Sequence, residues 1–314
     1  MEKSWMGITV LWMCCVLGCA SSARKSAAAD APLISQTITD HTGRELRLPN
    51  LPKRIVSLAP NITEMVFAVG GGDKLIARSQ ACDYPEAAAK KTEVPTWPNL
   101  DLEAIAQTES DLIITTDMIF TPDDLAQIER LGIPIYLQHY GTMADIFTGM
   151  KDIGQLVGEE AQSNRVADSL ETLVNLVLDS TENQIKYRTL MLISGNPLKV
   201  VGGSGFLHEM IEKAGGKNVY AARKEAFVET TVEEILRSEP EFLILPSKDD
   251  QVYAELLAAY PALYNTPADV YKQVHIIDPD LVYRPGPRMI EGLLTLTHIL
   301  HTNLNPEIFL HAQP

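Results

Sequence analysis

The stretch EEAQSNRVADSLETLVNLVLDSTENQI, residues 159–185, determines the predicted architecture. It contains neither glycine nor proline, and Val166, Leu170, Leu173 and Val177 recur at the spacing of one helical face. The stretch therefore predicts a single uninterrupted helix about 40 Å long, since an α-helix rises about 1.5 Å per residue. A helix of this length would join two lobes stiffly. We therefore expect a preformed cleft that closes little on binding.

On both sides of this helix, short apolar runs alternate with helical patterns, which is typical of α/β proteins. Six runs are predicted to be strands buried on both faces: RIVSLAP (54–60), DLIITTD (111–117), PIYLQHY (134–140), RTLMLISG (188–195), EFLILPS (241–247) and QVHIIDP (273–279). The predicted fold class is α/β, with two Rossmann-like lobes, each a small, mainly parallel sheet with helices. The lobes are expected at residues 53–157 and 187–314, joined by one long backbone helix at 158–186.

The two lobes contain similar motifs in the same order, which we call the internal repeat. LEAI (102–105) leads to DLII (111–114), and VEEI (232–235) leads to EFLI (241–244) over the same interval. The first helix has Asp101 as a candidate N-cap, and Thr231 with Glu234 resembles a capping box for the second. EMV (64–66) and EMI (209–211) likewise precede Gly70 and Gly215, which are interpreted as stops after a helix. Chance similarity between short α/β units is the alternative.

The N-terminus has the organisation of an export signal. The apolar run from Met6 to Leu17 is shorter than the roughly 20 residues that span a membrane. It ends in VLGC (16–19), which resembles the lipobox at which bacterial lipoproteins are cleaved and lipidated. We expect residues 1–18 to be removed, Cys19 to be lipidated, and residues 19–52 to form a tether and N-terminal segment. An uncleaved anchor or a plain secretory signal is the alternative.

Composition and motifs argue against several classes of function. The formal net charge of −15 disfavours nucleic-acid binding. No nucleophile elbow or phosphate-binding glycine motif occurs, so we expect no enzymatic activity. We expect no metal site either, and the pair His298 and His301 is interpreted as solvated rather than as zinc ligands. Cys82 is the only cysteine after Cys19, and it is either a soft ligand or a buried core residue.

Five further segments carry a family resemblance: RIVSLAPNITEMVFAVG (54–70), CDYPEAA (82–88), PTWPNLDLEAI (95–105), VETTVEEILRSEPEFLIL (228–245) and DPDLVYRPGPRMIEGL (278–293). Over roughly residues 53–305 the chain resembles the periplasmic substrate-binding proteins of ABC importers with a single-helix backbone, the class III fold. That family serves transporters for cobalamin, siderophores and haem. The resemblance implies an extracytoplasmic, lipid-anchored binding protein that performs no chemistry itself.

Within this family the motifs are most similar to those of the cobalamin-binding branch. The resemblance implies that Trp97 packs against the corrin, that Phe227 is a second aromatic on the opposite lobe, and that Asp280 and Arg284 contact the ligand. Together with nearby candidates, the expected ligand-binding residues are Trp97, Phe227, Asp280, Tyr283, Arg284, Tyr84 and Cys82. Trp97 alone is also compatible with a core position, and Asp280 and Arg284 with pairing to each other.

Three positions depart from the cobalamin-binding pattern. Ala81 replaces a pocket tyrosine, Tyr283 replaces a glutamate, and Ala214 replaces one half of a disulfide. An altered pose, a different corrinoid, or a haem or siderophore ligand therefore remain alternatives. A haem binder would need an axial ligand such as Tyr84, Tyr283 or His139, and a siderophore binder would favour several cationic side chains.

The equivalent acids Glu103 and Glu233 each fall in the first turn of a predicted helix, where an acid also stabilises the helix dipole. The resemblance implies a second role for them, which is docking onto arginines of the permease subunits. An extracytoplasmic sensor domain or enzyme is the alternative from another class of protein.

Overall fold

The computed structural model describes residues 36–304, whose elements lie on either side of one long helix. The first elements are β1 Gln36–Thr39, β2 Glu45–Leu48, β3 Ile55–Ser57, α1 Pro60–Ala68, β4 Leu75–Ser79, α2 Glu86–Ala89, β5 Thr92–Val94, α3 Leu102–Gln107, β6 Leu112–Thr116, α4 Pro122–Glu129, β7 Ile135–Gln138, α5 Met143–Val157 and the long helix α6 Glu160–Thr181. After it come β8 Tyr187–Gly195, β9 Leu198–Val201, α7 Phe206–Lys213, β10 Gly216–Asn218, β11 Phe227–Glu229, α8 Val232–Ser238, β12 Phe242–Pro246, α9 Val252–Ala259, a 3-10 helix Pro261–Asn265, α10 Pro267–Val270, β13 Val274–Ile277, α11 Asp280–Tyr283 and α12 Met289–Leu300.

The long helix is confirmed. It has 22 residues and is therefore about 33 Å long, somewhat shorter than the stretch that predicted it. Leu170, Leu173 and Val177 are buried on its inner face. The helix begins after Gly158, whose φ of 70° ends α5 and turns the chain.

Each lobe contains its own sheet, which confirms the predicted fold class. In the N-terminal lobe, comprising β3 to α5, five parallel strands run in the order β5-β4-β3-β6-β7. In the C-terminal lobe, comprising β8 to α12, six strands include the order β11-β9-β8-β12-β13, with β10 beside β8. The second sheet is mixed, because β9 and β11 are antiparallel to their neighbours. Strands β1 and β2 form a separate hairpin.

All six predicted strands are present, but the prediction of burial on both faces is wrong for β13. This strand pairs with β12 and lies at the end of the sheet order. Its Ile276 is 37% exposed. Strand order, which the apolar run does not encode, makes this segment an edge.

The internal repeat is confirmed in detail. Strands β6 and β12 begin at equivalent positions of the repeat, and each follows a glutamate in the left-handed region, Glu109 with φ 49° and Glu239 with φ 46°. The Nε of Arg54 donates to the Glu109 carbonyl at 2.9 Å, and the Nε of Arg188 donates to the Glu239 carbonyl at 2.7 Å. The same left-handed turn, with the same hydrogen bond from an arginine to its carbonyl, occurs in both lobes. Chance similarity between short α/β units therefore does not explain the repeat.

Helix ends follow the sequence signals with one exception. Gly70 and Gly215 have φ values of 92° and 83° just after α1 and α7, which confirms them as stops. Thr231 accepts a hydrogen bond from the Glu234 backbone N–H at 3.3 Å, as an N-cap should. The reciprocal half of the predicted capping box is wrong, because the Glu234 carboxylate instead accepts from the Thr230 hydroxyl at 2.9 Å.

The two lobes share one hydrophobic core. It contains buried side chains from helices of both lobes and from the long helix: Met65, Val66, Met150, Ile153, Leu173, Met210, Ile211, Leu293 and Leu296. Each lobe also has a smaller core on the far side of its sheet. Across residues 36–304, no helix has the length and apolar character required to cross a bilayer. The export signal, Cys19 and the tether as far as residue 35 lie outside the described residues.

Candidate functional site

A cavity of about 360 Å³, the cleft cavity, lies between the two lobes. Its walls come from the N-terminal lobe (Pro60, Asn61, Thr116, Met118, Ile119 and Tyr140) and from the C-terminal lobe (Ile193, Phe206, Leu207, Phe227, Tyr283, Arg284 and Pro285). Thr116 ends β6, and Tyr140 follows β7. Open α/β sheets bind ligands beyond the carboxyl ends of their strands, and the cleft cavity occupies that position.

Three of the expected ligand-binding residues line this cavity: Phe227, Tyr283 and Arg284. Phe227 lies on the edge strand β11 and keeps its ring partly exposed. Tyr283 ends α11, and its hydroxyl donates to the Ile193 carbonyl at 3.4 Å. Burial raises the pKa of Tyr283 to about 12, so its phenol stays neutral and can donate a hydrogen bond. Of the expected residues, two aromatic side chains, one of them with a polar tip, therefore line the cavity.

Trp97 lies on the loop between β5 and α3, and its side chain is 80% exposed. A core position for this ring is therefore excluded. The loop is held by Gln80, whose Oε1 accepts from the Thr96 backbone N–H at 2.6 Å and whose Nε2 donates to the Trp97 carbonyl at 3.0 Å. Trp97 is not among the side chains that line the cleft cavity. The structure thus presents the ring to solvent on a fixed loop, and its contact with a ligand stays a prediction.

Arg284 and Asp280 are paired with each other, Nη2 to Oδ1 at 3.0 Å. Arg284 also donates through Nη1 to Glu64 at 3.2 Å and to Asp83 at 2.7 Å, while Asp280 receives Lys248 Nζ at 2.6 Å. The hydrogen bond from Arg284 lowers the pKa of Asp83 below its ordinary 3.8. Burial alone would lower the pKa of Arg284, but the hydrogen bond to Asp83 and the neighbouring charges raise it overall. Both side chains expected to contact the ligand are therefore engaged in ion pairs.

Glu64 is the buried centre of this network. Arg288 binds its carboxylate in a bidentate manner, with Nε to Oε2 at 2.9 Å and Nη2 to Oε1 at 2.7 Å. The side chain of Glu64 is buried, and its hydrogen bonds raise the pKa of Arg288. We define the cleft ion cluster as the three acids and three bases joined by these contacts: Glu64, Asp83, Asp280, Lys248, Arg284 and Arg288.

Two expected ligand-binding residues lie elsewhere. Tyr84 lines a second cavity of about 730 Å³ formed by α1, α6 and α12, where the Arg288 guanidinium lies 4.1 Å from its ring centroid. Cys82 is fully buried, with its Sγ 3.1 Å from the Ser79 hydroxyl, and burial raises the pKa of its thiol. The prediction of Cys82 as a soft ligand is therefore wrong, because its sulfur faces the core.

The three residues considered as axial ligands for a haem do not lie together in the cleft cavity. Of Tyr84, Tyr283 and His139, only Tyr283 lines the cleft cavity, and the His139 Nδ1 pairs with Asp117 at 2.9 Å. The interpretation of His298 and His301 as a solvated pair is wrong for His301, which is buried, whereas His298 is exposed. Within residues 36–304, no three metal-binding side chains come together as a possible metal site.

Sequence reasoning missed Met118 and Ile119, although both line the cleft cavity and are 58% and 47% exposed. The signal was present, because the apolar character of DLIITTDMIF (111–120) continues beyond the predicted end of its strand. It also missed Glu64, an acid within the largely buried helix α1. A buried carboxylate there requires a partner, and that partner, Arg288, lies far away in the chain, on the other lobe.

Glu103 and Glu233 occupy the same position on equivalent helices. Each is the second residue of its helix, α3 or α8, and each is exposed. Asp101 caps α3 by accepting from the Ala104 N–H at 2.8 Å, and Thr231 caps α8 in the same way. Neither glutamate is needed as a cap; both are exposed, and the Glu103 Oε1 accepts a hydrogen bond from the Gln107 side-chain amide at 3.2 Å.

Comparison with known proteins places the chain among binding proteins. The family model described as periplasmic binding protein matches residues 55–281. The vitamin B12-binding protein of Vibrio parahaemolyticus is 28% identical over 253 residues, which is 79% of this chain and 90% of the relative.

Solved structures show the same fold. The periplasmic vitamin B12 binding protein of Vibrio cholerae superposes with a TM-score of 0.71 at 24% identity, covering 80% of this chain and 98% of that one. A periplasmic heme binding protein from Pseudomonas aeruginosa superposes with a TM-score of 0.73 at 22% identity, covering 81% and 95%. Because binders of different ligands match this well, fold similarity does not choose the ligand.

Proposed function

Because the chain belongs to the periplasmic binding protein family, we propose that it captures cobalamin or a related corrinoid between its lobes and delivers it to an ABC importer. The members it resembles are binding proteins and not enzymes, and the family acts outside the cytoplasm. The observation that carries the proposal is the aromatic and apolar lining of the cleft cavity. Phe227 and Tyr283 come from one lobe, and Met118 and Ile119 come from the other. The exposed Trp97 belongs to the same lobe as Met118 and Ile119.

This lining suits a corrin. A corrin is broad, partly apolar and rimmed with amides, so aromatic and thioether side chains can grip it by burial and dispersion. The macrocycle is larger than the cleft cavity, and a bound corrin would extend beyond it. An exposed ring on a fixed loop, such as that of Trp97, can then cover part of the ligand at little ordering cost.

The cleft ion cluster favours a ligand with neutral polar groups. Its three acids and three bases balance in formal charge. Amides can exchange hydrogen bonds with the exposed members Asp83 and Lys248 without leaving a charge unpaired. A haem or siderophore carrying carboxylates would need a free cation, but Arg284 and Arg288 are both bound to Glu64. This argument favours cyanocobalamin, whose one phosphate charge is balanced within the molecule, over ligands that carry a net negative charge.

Calorimetric titration of a soluble version of the chain that begins at residue 26 tests which ligand it binds. Cyanocobalamin is the titrant, with haemin and a ferric siderophore as comparisons. The proposal predicts tight 1:1 binding of cyanocobalamin and much weaker binding of the other two. Saturable binding of a comparison ligand alone would keep the transport role and reject the corrinoid. Binding of none of the three would favour the sensor or enzyme alternatives.

The proposal also includes a membrane anchor and a docking surface. Lipid at Cys19 would hold the protein at the membrane, which mass spectrometry of the full chain from a bacterial host tests directly. The glutamates Glu103 and Glu233 would orient the two lobes on a permease, since paired charges set orientation and encounter rate. Replacing both by alanine should abolish stimulation of the importer ATPase while leaving ligand affinity unchanged. Unchanged stimulation would contradict the docking role.

A further inference from the structure

Two glutamates at equivalent positions of the internal repeat each reach from one lobe to the other. Glu64 lies on α1 in EMV (64–66), and Glu209 lies on α7 in EMI (209–211). We propose that Glu64 and Glu209 form an interlobe latch that sets the width of the cleft and positions the segment 283–288 for the ligand. The proposal deepens the function proposed above and rests on it for the ligand.

The Glu64 side of the latch is a buried, multiply bonded contact. Its carboxylate belongs to the N-terminal lobe, and both arginines that bind it, Arg284 and Arg288, belong to the C-terminal lobe. The side chain of Glu64 is only 2% exposed, and those of Arg284 and Arg288 are 13% and 14% exposed. Removing one member of such a pair leaves a buried charge without its partner, which is strongly unfavourable.

The Glu209 side uses a helix end instead of an arginine. The Oε2 of Glu209 accepts a hydrogen bond from the backbone N–H of Met143 at 3.0 Å. Met143 is the first residue of α5 in the N-terminal lobe, so the carboxylate lies at the positive end of that helix. The two glutamates thus cross the lobe interface in opposite directions, one from each lobe.

Both contacts lie one helical turn behind the cleft. Helix α1 begins with Pro60 and α7 begins with Phe206, and both of these residues line the cleft cavity. Glu64 binds Arg284, which follows Tyr283 in the chain, and Arg288 farther along the same segment. The Pro285 carbonyl of this segment also accepts a hydrogen bond from the Asn61 side-chain amide at 3.2 Å. Helix α1 therefore holds the cleft wall around residue 285 at three points.

This arrangement explains how the cleft keeps its shape without a ligand. The shared core and the long helix join the lobes, and the core includes Val282 and Met289, which flank the cleft wall, but no residue of 283–288 itself. The latch holds this wall against α1 through contacts that a single side-chain change can remove. Loss of the latch should therefore loosen this wall while the two sheets stay intact.

The test is hydrogen exchange on the full chain in detergent without ligand, comparing Glu64→Gln, Glu209→Gln and the original sequence. Exchange should accelerate roughly tenfold or more at the backbone N–H groups of Tyr283 and Met289 for the first variant, because these donate to the Pro279 and Gly286 carbonyls within and beside the cleft wall. For the second variant it should accelerate at the start of α5. Strands β6 and β12 should exchange as before. Glu129→Gln is the matched control, since Glu129 pairs with Arg44 outside the cleft ion cluster, and it should change neither region.

Unchanged exchange at the Tyr283 and Met289 amides, or acceleration spread evenly over both sheets, would overturn the latch. Arg288→Lys guards against a variant that fails to fold, because it keeps the charge and loses the bidentate geometry. It should accelerate exchange in the same segment by less than Glu64→Gln does. In stopped-flow mixing with cyanocobalamin, Glu64→Gln should release the ligand faster with little change in association rate. The exchange measurement needs no ligand, so failure of the original chain to bind cyanocobalamin would reject the proposed function and leave the latch to be judged by exchange.

Discussion

Replacing Trp97 by alanine distinguishes a role in ligand contact from a role in stabilising the fold. The side chain is 80% exposed, so only about a fifth of its surface contacts the rest of the protein. A large aromatic side chain buries about 150–250 Å² when it is fully covered. A fifth of that area, at about 25 cal/mol per Å², corresponds to about 1 kcal/mol. The free energy of unfolding should therefore fall by no more than about 1 kcal/mol.

The expected effect on binding is larger. A corrin that covers half of the exposed ring surface would remove about 80 Å² from water, which is worth about 2 kcal/mol. Loss of that contact should weaken cyanocobalamin binding about 30-fold. Calorimetric titration measures this change, and urea denaturation of the same samples measures the change in stability.

Tyr271→Ala is the matched control for this experiment. Tyr271 is 70% exposed on the turn after α10 and does not line the cleft cavity. Its replacement should change neither the affinity nor, beyond about 1 kcal/mol, the free energy of unfolding. If Trp97→Ala bound cyanocobalamin with an affinity within twofold of the original chain, the proposed contact between Trp97 and the ligand would be refuted. A stability loss as large as the binding loss would instead assign the ring a structural role.

Three further predictions concern stability and reactivity. The hydrogen bond to Asp152 raises the pKa of His41 above its ordinary 6.5. The contribution of this pair to the free energy of unfolding is therefore complete below pH 6.5 and is lost as the pH rises through the pKa of His41 in the folded protein. Asp152→Asn should flatten this part of the curve of melting temperature against pH. A Cβ on Gly154 would collide with the Ser163 side chain, so Gly154→Ala should lower the free energy of unfolding by about 1–3 kcal/mol in urea denaturation. The fully buried Cys82 should resist alkylation in the folded chain and react only in denaturant, as peptide mass spectrometry would report.

Much of the fold follows from local patterns. The long helix, the six strands and the internal repeat were predictable because periodicity and spacing are properties of contiguous residues. The exposure of β13 was not, since a strand becomes an edge only through the order in which distant strands pair. The antiparallel strands β9 and β11 likewise depend on a hairpin turn that the apolar runs do not reveal.

The candidate site was predictable to a similar extent. Phe227 and Arg284, which the family resemblance implies, and Tyr283, which departs from the family pattern, line the cleft cavity, and their contact with a ligand stays a prediction. Cys82 and Tyr84 do not line it, because the direction in which a loop side chain points depends on neighbours outside its own segment. The engagement of Arg284 by Glu64 could not be predicted, since the two residues are 220 positions apart. Such a contact is visible only when both lobes are assembled.

The emission of Trp97 tests most directly whether a corrinoid sits between the lobes. The chain has two other tryptophans, Trp5 and Trp12, both within the expected export signal, so the version that begins at residue 26 has Trp97 as its sole tryptophan. Cobalamin absorbs where tryptophan emits, so a bound corrin against the ring should quench its fluorescence. The account predicts saturable quenching that is complete at one equivalent of cyanocobalamin, beyond the inner-filter loss shown by free tryptophan. Tight calorimetric binding with unchanged Trp97 emission would contradict it, because the ligand would then lie away from the aromatic cleft.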